Sequence, residues 1–129
     1  MDSFLRVAVA DSSYSVVIDD SGRAAYAYLL DGDEVVGDVW LWNRAEPQAD
    51  EWADPARLPF ANLTEFIDPN VRPPSSAEQM SVAHRWEPDG TIAVELLDGQ
   101  RVIARLWVGA QPGQSVGAMS ASSVALPLS

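Results

Sequence analysis

The sequence predicts a mainly β fold, with antiparallel sheets from two three-stranded meanders packed as a small sandwich or an open barrel. Three observations carry that expectation. Short segments rich in β-branched and aromatic residues recur in both halves of the chain, the pattern of strands buried on one face. Asp-Gly and Ser-Gly pairs punctuate them at hairpin spacing, where a residue that tolerates positive φ is needed. Six of the nine prolines crowd into residues 44–79, which separates the strand-rich parts.

The elements follow in chain order. Phe4 to Ala10 reads as a first strand, followed by a turn-prone Asp-Ser-Ser. Tyr14 to Asp19 runs into the turn Asp20-Ser21-Gly22, and Arg23 to Leu30 into a tight hairpin at Asp31-Gly32-Asp33, for which a type I′ turn is expected. Glu34 to Asn43 is long enough to cross a sheet, and strict alternation places Trp40 and Trp42 on one face. Residues 44–79 form a Pro-rich connection too long for an ordinary hairpin loop. Short helical turns are expected in it at Asp50-Glu51 and at Ala61 to Phe66, the second capped by Asn62. Strands resume at Met80 to Trp86, Thr91 to Leu97 and Gln100 to Val108, and the terminal SSVALPL reads as a last edge strand. At 129 residues the length suits a single domain over 1–129, with strand-rich units at 1–43 and 80–129.

The two units echo each other. Leu29-Leu30-Asp31-Gly32 recurs as Leu96-Leu97-Asp98-Gly99 at an offset of 67. The same offset pairs Val36 with Ile103, Val39 with Leu106 and Trp40 with Trp107. Ser15-Val16 recurs as Ser81-Val82 with a slip of one residue.

Composition narrows the function. There are 19 acidic and 8 basic residues, a formal charge of -11, and every basic residue is Arg. With 47% hydrophobic residues and five Trp the chain can fill a core, which excludes a disordered acidic tail. The charge argues against nucleic acid as a partner, because phosphate neutralisation needs cations. There is no cysteine to form a disulfide or a thiolate ligand. No apolar run reaches the length of a membrane span and the N-terminus lacks the pattern of a signal peptide, so a cytoplasmic location is expected, with no membrane partner.

No catalytic signature, cofactor motif or metal-ligand set emerges. His84 is the single histidine and shares its strand face with Met80, Val82 and Trp86, which suggests a buried or half-buried residue. Neither a Gly-rich phosphate loop nor a nucleophile elbow occurs. Asp19-Asp20 reads as part of a solvated turn, as do Asp31, Asp33 and Glu34. Residues 1–64 carry 12 acidic and 4 basic residues, against 7 and 4 in 65–129. That asymmetry nominates Asp31, Asp33, Glu34, Asp50, Glu51 and Asp54 as a protein-binding rim with Trp52 as its anchor. A rival placement puts a small-ligand or enzyme site between the two units, lined by Tyr26, Tyr28, Trp40, Trp42, His84, Trp86 and Trp107. A third option is a structural or oligomerisation role for the terminal strand; the oligomeric state itself is not readable from the residues.

One further stretch is distinctive. The segment VWLWNRAEP…EW…LPFANLTEF (Val39 to Phe66), with the later PGQS (Pro112 to Ser115), resembles small bacterial proteins encoded beside secreted toxins as their immunity proteins. The shared look is a Trp-rich strand ending in Asn-Arg, a Pro- and Trp-containing stretch and a Pro-Phe-x-Asn turn. The resemblance implies a cytoplasmic inhibitor that binds one cognate toxin, and it carries no residue-level roles; independently, a charge of -11 suits a basic protein partner.

Overall fold

The structure is a computed structural model that describes residues 2–47 and 61–128. It is mainly β. Strands β1 (Ser3–Ala8), β2 (Tyr14–Asp20), β3 (Ala24–Asp31) and β4 (Glu34–Asn43) form one antiparallel sheet in chain order. A second sheet holds β5 (Met80–Trp86), β6 (Ile92–Asp98), β7 (Arg101–Trp107), β8 (Gln114–Ser115) and β9 (Leu126–Pro127). Its strands are antiparallel except β9, which runs parallel to β8. The first unit therefore contributes four strands to its sheet, because β1 is added to the expected meander.

Inward-facing residues of both sheets share one core. Val16, Ile18, Ala27, Leu29 and Val39 come from the first sheet, and Ile92, Val94, Leu96 and Leu106 from the second; all are essentially inaccessible. The sheets do not close into a barrel; they are stitched along one side, where β4 meets the chain that follows β7. Gly109 N–H donates to Val36 O at 2.7 Å, and Gly113 N–H to Asp38 O at 2.7 Å. Asp38 N–H reaches Ala110 O and Trp40 N–H reaches Val124 O, both at 2.8 Å. The edge of β4 is thus satisfied by the protein itself, as a buried edge requires.

The echo in the sequence is an equivalence in register. Leu29 pairs with Gly37 and Leu30 with Val35, leaving Val36 as the extra residue of a bulge. Leu96 pairs with Ala104 and Leu97 with Val102, leaving Ile103 in the same role. Upstream, Ser15 opposes Leu30 and Ser81 opposes Leu97. Asp20 opposes Ala25, whereas Trp86 opposes Ile92, so the β5–β6 turn holds one residue more. That extra residue is the one-residue slip seen in the sequence.

Three local expectations are corrected. Gly32 has φ 61° and Gly99 φ 62°, but Asp33 is not in the positive-φ region. One positive φ, at the first central position, is the type II′ pattern and not type I′. Trp40 opposes Tyr26 while Trp42 opposes Ala25, so a bulge at this point turns the two tryptophans to opposite faces; strict alternation misses it because one inserted residue inverts every later side chain. In the connection, a 3-10 turn spans Thr64–Phe66, and its cap position is Leu63, not Asn62. Asn62 is buried and exchanges bonds with Asn43: its N–H donates to Asn43 Oδ1 at 2.9 Å, and Asn43 Nδ2 donates to Asn62 O at 2.7 Å. A second 3-10 turn, Ala77–Gln79, precedes β5. The expected turn at Asp50-Glu51 lies outside the described residues.

Candidate functional site

The β1–β2 and β3–β4 turns of the first sheet and the β5–β6 turn of the second gather at one end of the molecule. Gly32 N–H donates to Ser13 O at 2.8 Å, which joins the β1–β2 turn to the β3–β4 hairpin. Tyr14, at the start of β2, meets Trp86, at the end of β5, with ring centroids 6.1 Å apart. The β5–β6 turn therefore belongs to the same end.

This end carries Asp11, Asp31, Asp33, Glu34, Glu87 and Asp89. Asp33 and Glu34 are exposed at the hairpin tip, and Asp31 accepts a bond from the Ser13 hydroxyl. Asp89 Oδ1 accepts from Thr91 N–H at 2.9 Å and from Thr91 Oγ1 at 2.6 Å. Those bonds to the charged form hold its carboxyl below the ordinary 3.8. The adjacent cation is Arg85, which bridges Glu87 at 3.0 Å. In the middle stands Trp86, 48% exposed, flanked by Tyr14 and by His84 in a T-shaped contact at 6.3 Å. An aromatic centre within a polar, charged rim is the usual anatomy of a protein-recognition surface.

Of the expected rim, Asp31, Asp33 and Glu34 are brought together here. Asp50, Glu51, Trp52 and Asp54 lie outside the described residues. The sequence did not nominate Asp11, Glu87 or Asp89 for the rim, because their proximity comes from strand pairing and not from chain order.

The seven residues expected to line a site between the units do not line one cavity. Tyr26 and Tyr28 stack at 6.3 Å on the outer face of the first sheet. Trp40 is buried, its Nε1 donating to Asn43 Oδ1 at 2.8 Å. Trp42 is buried on the other face and donates to Asp20 Oδ2 at 3.2 Å. His84 is exposed, contrary to its expected burial, because β5 is an edge strand. Trp107, 36% exposed, and His84 both border a depression of about 330 Å³ on the second sheet, where Ala83 and Ala93 also lie, so these two of the seven are brought together. Arg105 beside it bridges Glu95 at 2.8 Å, and Glu95 is its cross-strand partner. Among the described residues, no three His, Asp or Glu side chains gather as a metal site.

Asp19 and Asp20 are not solvated turn residues. Asp20 is completely buried. Asp19 is half-buried, and burial, aided by Asp2 and Asp20, raises its carboxyl above 3.8. Asp38 is raised by burial as well, and it sits opposite Tyr28, whose hydroxyl is raised by burial and by Asp19 and Asp38. Because folding raises the proton affinity of Asp38, the native state holds the extra proton between 3.8 and the raised value. Stability contributed by this group is therefore lost as pH rises through that window. Asp38→Asn is expected to match the parent in Tm near pH 3 and to exceed it near pH 7, a difference measurable by thermal melts across pH. A lower Tm for the variant at neutral pH would contradict this account.

Among the described residues, no helix is long and apolar enough to cross a membrane. Comparison of the chain with protein-family models, with curated proteins and with solved structures finds no match.

Proposed function

We propose that this chain is an acidic protein-binding module whose partner is a basic protein, in the manner of an immunity protein that neutralises a cognate toxin in the cytoplasm. The observation that carries this reading is the turn end of the sandwich, where exposed Trp86 and half-buried Tyr14 share an end with six carboxylates. The filled interior supports it further, since the large side chains of both sheets occupy the space a ligand would need. The depression beside Trp107 is open, and its Arg85 and Arg105 are each bridged to a glutamate, so both cations that line it are already neutralised.

A charged rim acts mostly on the rate of encounter, while the aromatic centre holds the bound state. The partner to try is the protein encoded beside this one. Its association, followed by stopped-flow fluorescence of the tryptophans, is expected to slow at least tenfold between low and high salt. Replacing Asp33 and Glu34 together by Lys should slow association about tenfold at low salt and leave dissociation nearly unchanged. Absence of binding, or binding indifferent to both salt and charge reversal, would refute the proposal.

A further inference from the structure

The equivalence of the two units exposes a difference between them. β2 and β5 hold the same place, with Ser15 to Asp20 corresponding to Ser81 to Trp86. The outer edge of β2 is completed by β1, which pairs antiparallel with it from Ser3↔Asp20 to Ala8↔Ser15. The outer edge of β5 has no such strand: among the described residues, β6 is its only partner. The consequence shows in burial. Ile18 is completely buried, whereas His84, which corresponds to it, is exposed.

An open edge is a template for another strand, and proteins usually guard one with Lys, Pro or a bulge. β5 contains no Pro, its one formally charged side chain, Arg85, is bridged to Glu87, and its register with β6 is unbroken over all seven residues. Its side chains offer seats on both faces. Ala83 fronts the depression bordered by Trp107, and Trp86 stands beside Tyr14.

We infer that the outer edge of β5, unpaired among the described residues, is a strand position equivalent to that of β1 and takes an extended, basic segment of the partner protein, antiparallel to β5. This rests on the acidic-module reading and specifies how that partner docks. Charge selects the occupant. The edge ends at Trp86 beside Glu87 and Asp89, and a second copy of a chain with net charge -11 would be repelled there. β1 shows what the position accepts. Its Leu5 and Val7 face inward opposite Ile18 and Val16, and its Phe4 and Arg6 face outward. Alternation of apolar and cationic residues therefore fits, with the segment's N-terminal end near Trp86.

The probe is an eight-residue peptide of alternating Val and Lys, capped at both ends, titrated into the full chain labelled with ¹⁵N. Two isomers are compared with it, one N-methylated at every Val and one at every Lys. Successive N–H groups of a strand point to opposite sides, so only one isomer loses the bonds that face β5. Binding that falls at least tenfold for one isomer and not for the other, with exchange protection gained over Ser81–Trp86, supports the inference. Equal binding of both isomers, with shifts at Asp31–Glu34 and none in β5, overturns edge docking while sustaining the acidic surface. No salt-dependent binding of any of the three peptides overturns both. Protection of β5 without peptide, together with a doubled mass by light scattering, assigns the edge to a second copy and overturns the inference.

Discussion

Asp20→Ala is expected to cost about 3–5 kcal/mol of folding stability, the usual loss when one partner of a buried charge pair is removed. The carboxylate is inaccessible and fully engaged. Oδ1 accepts Gly22 N–H at 3.0 Å, and Oδ2 accepts both Trp42 Nε1 at 3.2 Å and Arg44 Nε at 2.5 Å. Arg44 extends the network, donating from Nη2 to Pro74 O at 2.5 Å with its guanidinium 5.4 Å from the Trp42 ring centroid. One side chain thereby ties the β2–β3 turn, the end of β4 and the Pro-rich connection. Removing it strands an indole N–H and a guanidinium whose side chain is only 22% exposed, and unpaired buried donors carry the larger part of the cost. Arg44 keeps some access to water, which draws the expectation toward the lower end of the range. Urea unfolding measures it. Asp20→Asn keeps an acceptor oxygen but loses the charge, so it should fall between parent and Ala variant. A loss under about 1 kcal/mol for Asp20→Ala would mean that water replaces the carboxylate and that the end of β4 is held otherwise.

What the sequence revealed and what it hid divide along a physical line. Strand existence was legible because each strand carries its own signal. β4 and β5 begin and end where the residues indicate, at Glu34 and Asn43 and at Met80 and Trp86. The repeat was legible because the Leu-Leu-Asp-Gly hairpin recurs, and its bulge recurs with it. Side-chain facing near Trp40 was not, because a bulge is decided by pairing with β3 and leaves no mark in the strand's own alternation. The burial of Asp20 was hidden in the same way. In sequence it is one of a run of turn-forming residues, and its partners Trp42 and Arg44 lie 22 and 24 residues away. The acidic end was half legible. Asp31, Asp33 and Glu34 are adjacent in sequence, but Asp11, Glu87 and Asp89 join them only through the hairpin contacts and the Tyr14–Trp86 meeting. A residue's own chemistry can be read from the sequence, whereas its neighbours across the sandwich have to be seen.

Gly113→Ala is expected to cost about 3 kcal/mol, the upper end of the usual penalty for overpacking. The reason lies in the seam that joins the sheets. Gly113 sits between β4 and β7, where its N–H donates to Asp38 O. A Cβ there would lie 2.5 Å from Arg105 O and 2.9 Å from Leu106 Cδ2, with Val39 Cβ at 3.5 Å on the other side. The first obstacle is backbone of a central strand, which cannot step aside as a side-chain end can, so relief requires the seam to open. Two further glycines give a graded control. At Gly37 the added carbon would meet Trp107 O at 2.8 Å, and at Gly117 it would meet Leu41 O at 3.1 Å and the Trp40 ring at 3.2 Å. Cost should therefore fall in the order Gly113, Gly37, Gly117, as read by chemical denaturation of the three alanine variants. Because Gly37 and Gly113 both press on the backbone of β7 along the same seam, their double variant should cost less than the sum, the seam having been opened once already. Full additivity, or a Gly117 variant weaker than the Gly113 variant, would show that the two sheets are held together chiefly by their shared core and not by the close backbone approach along β4.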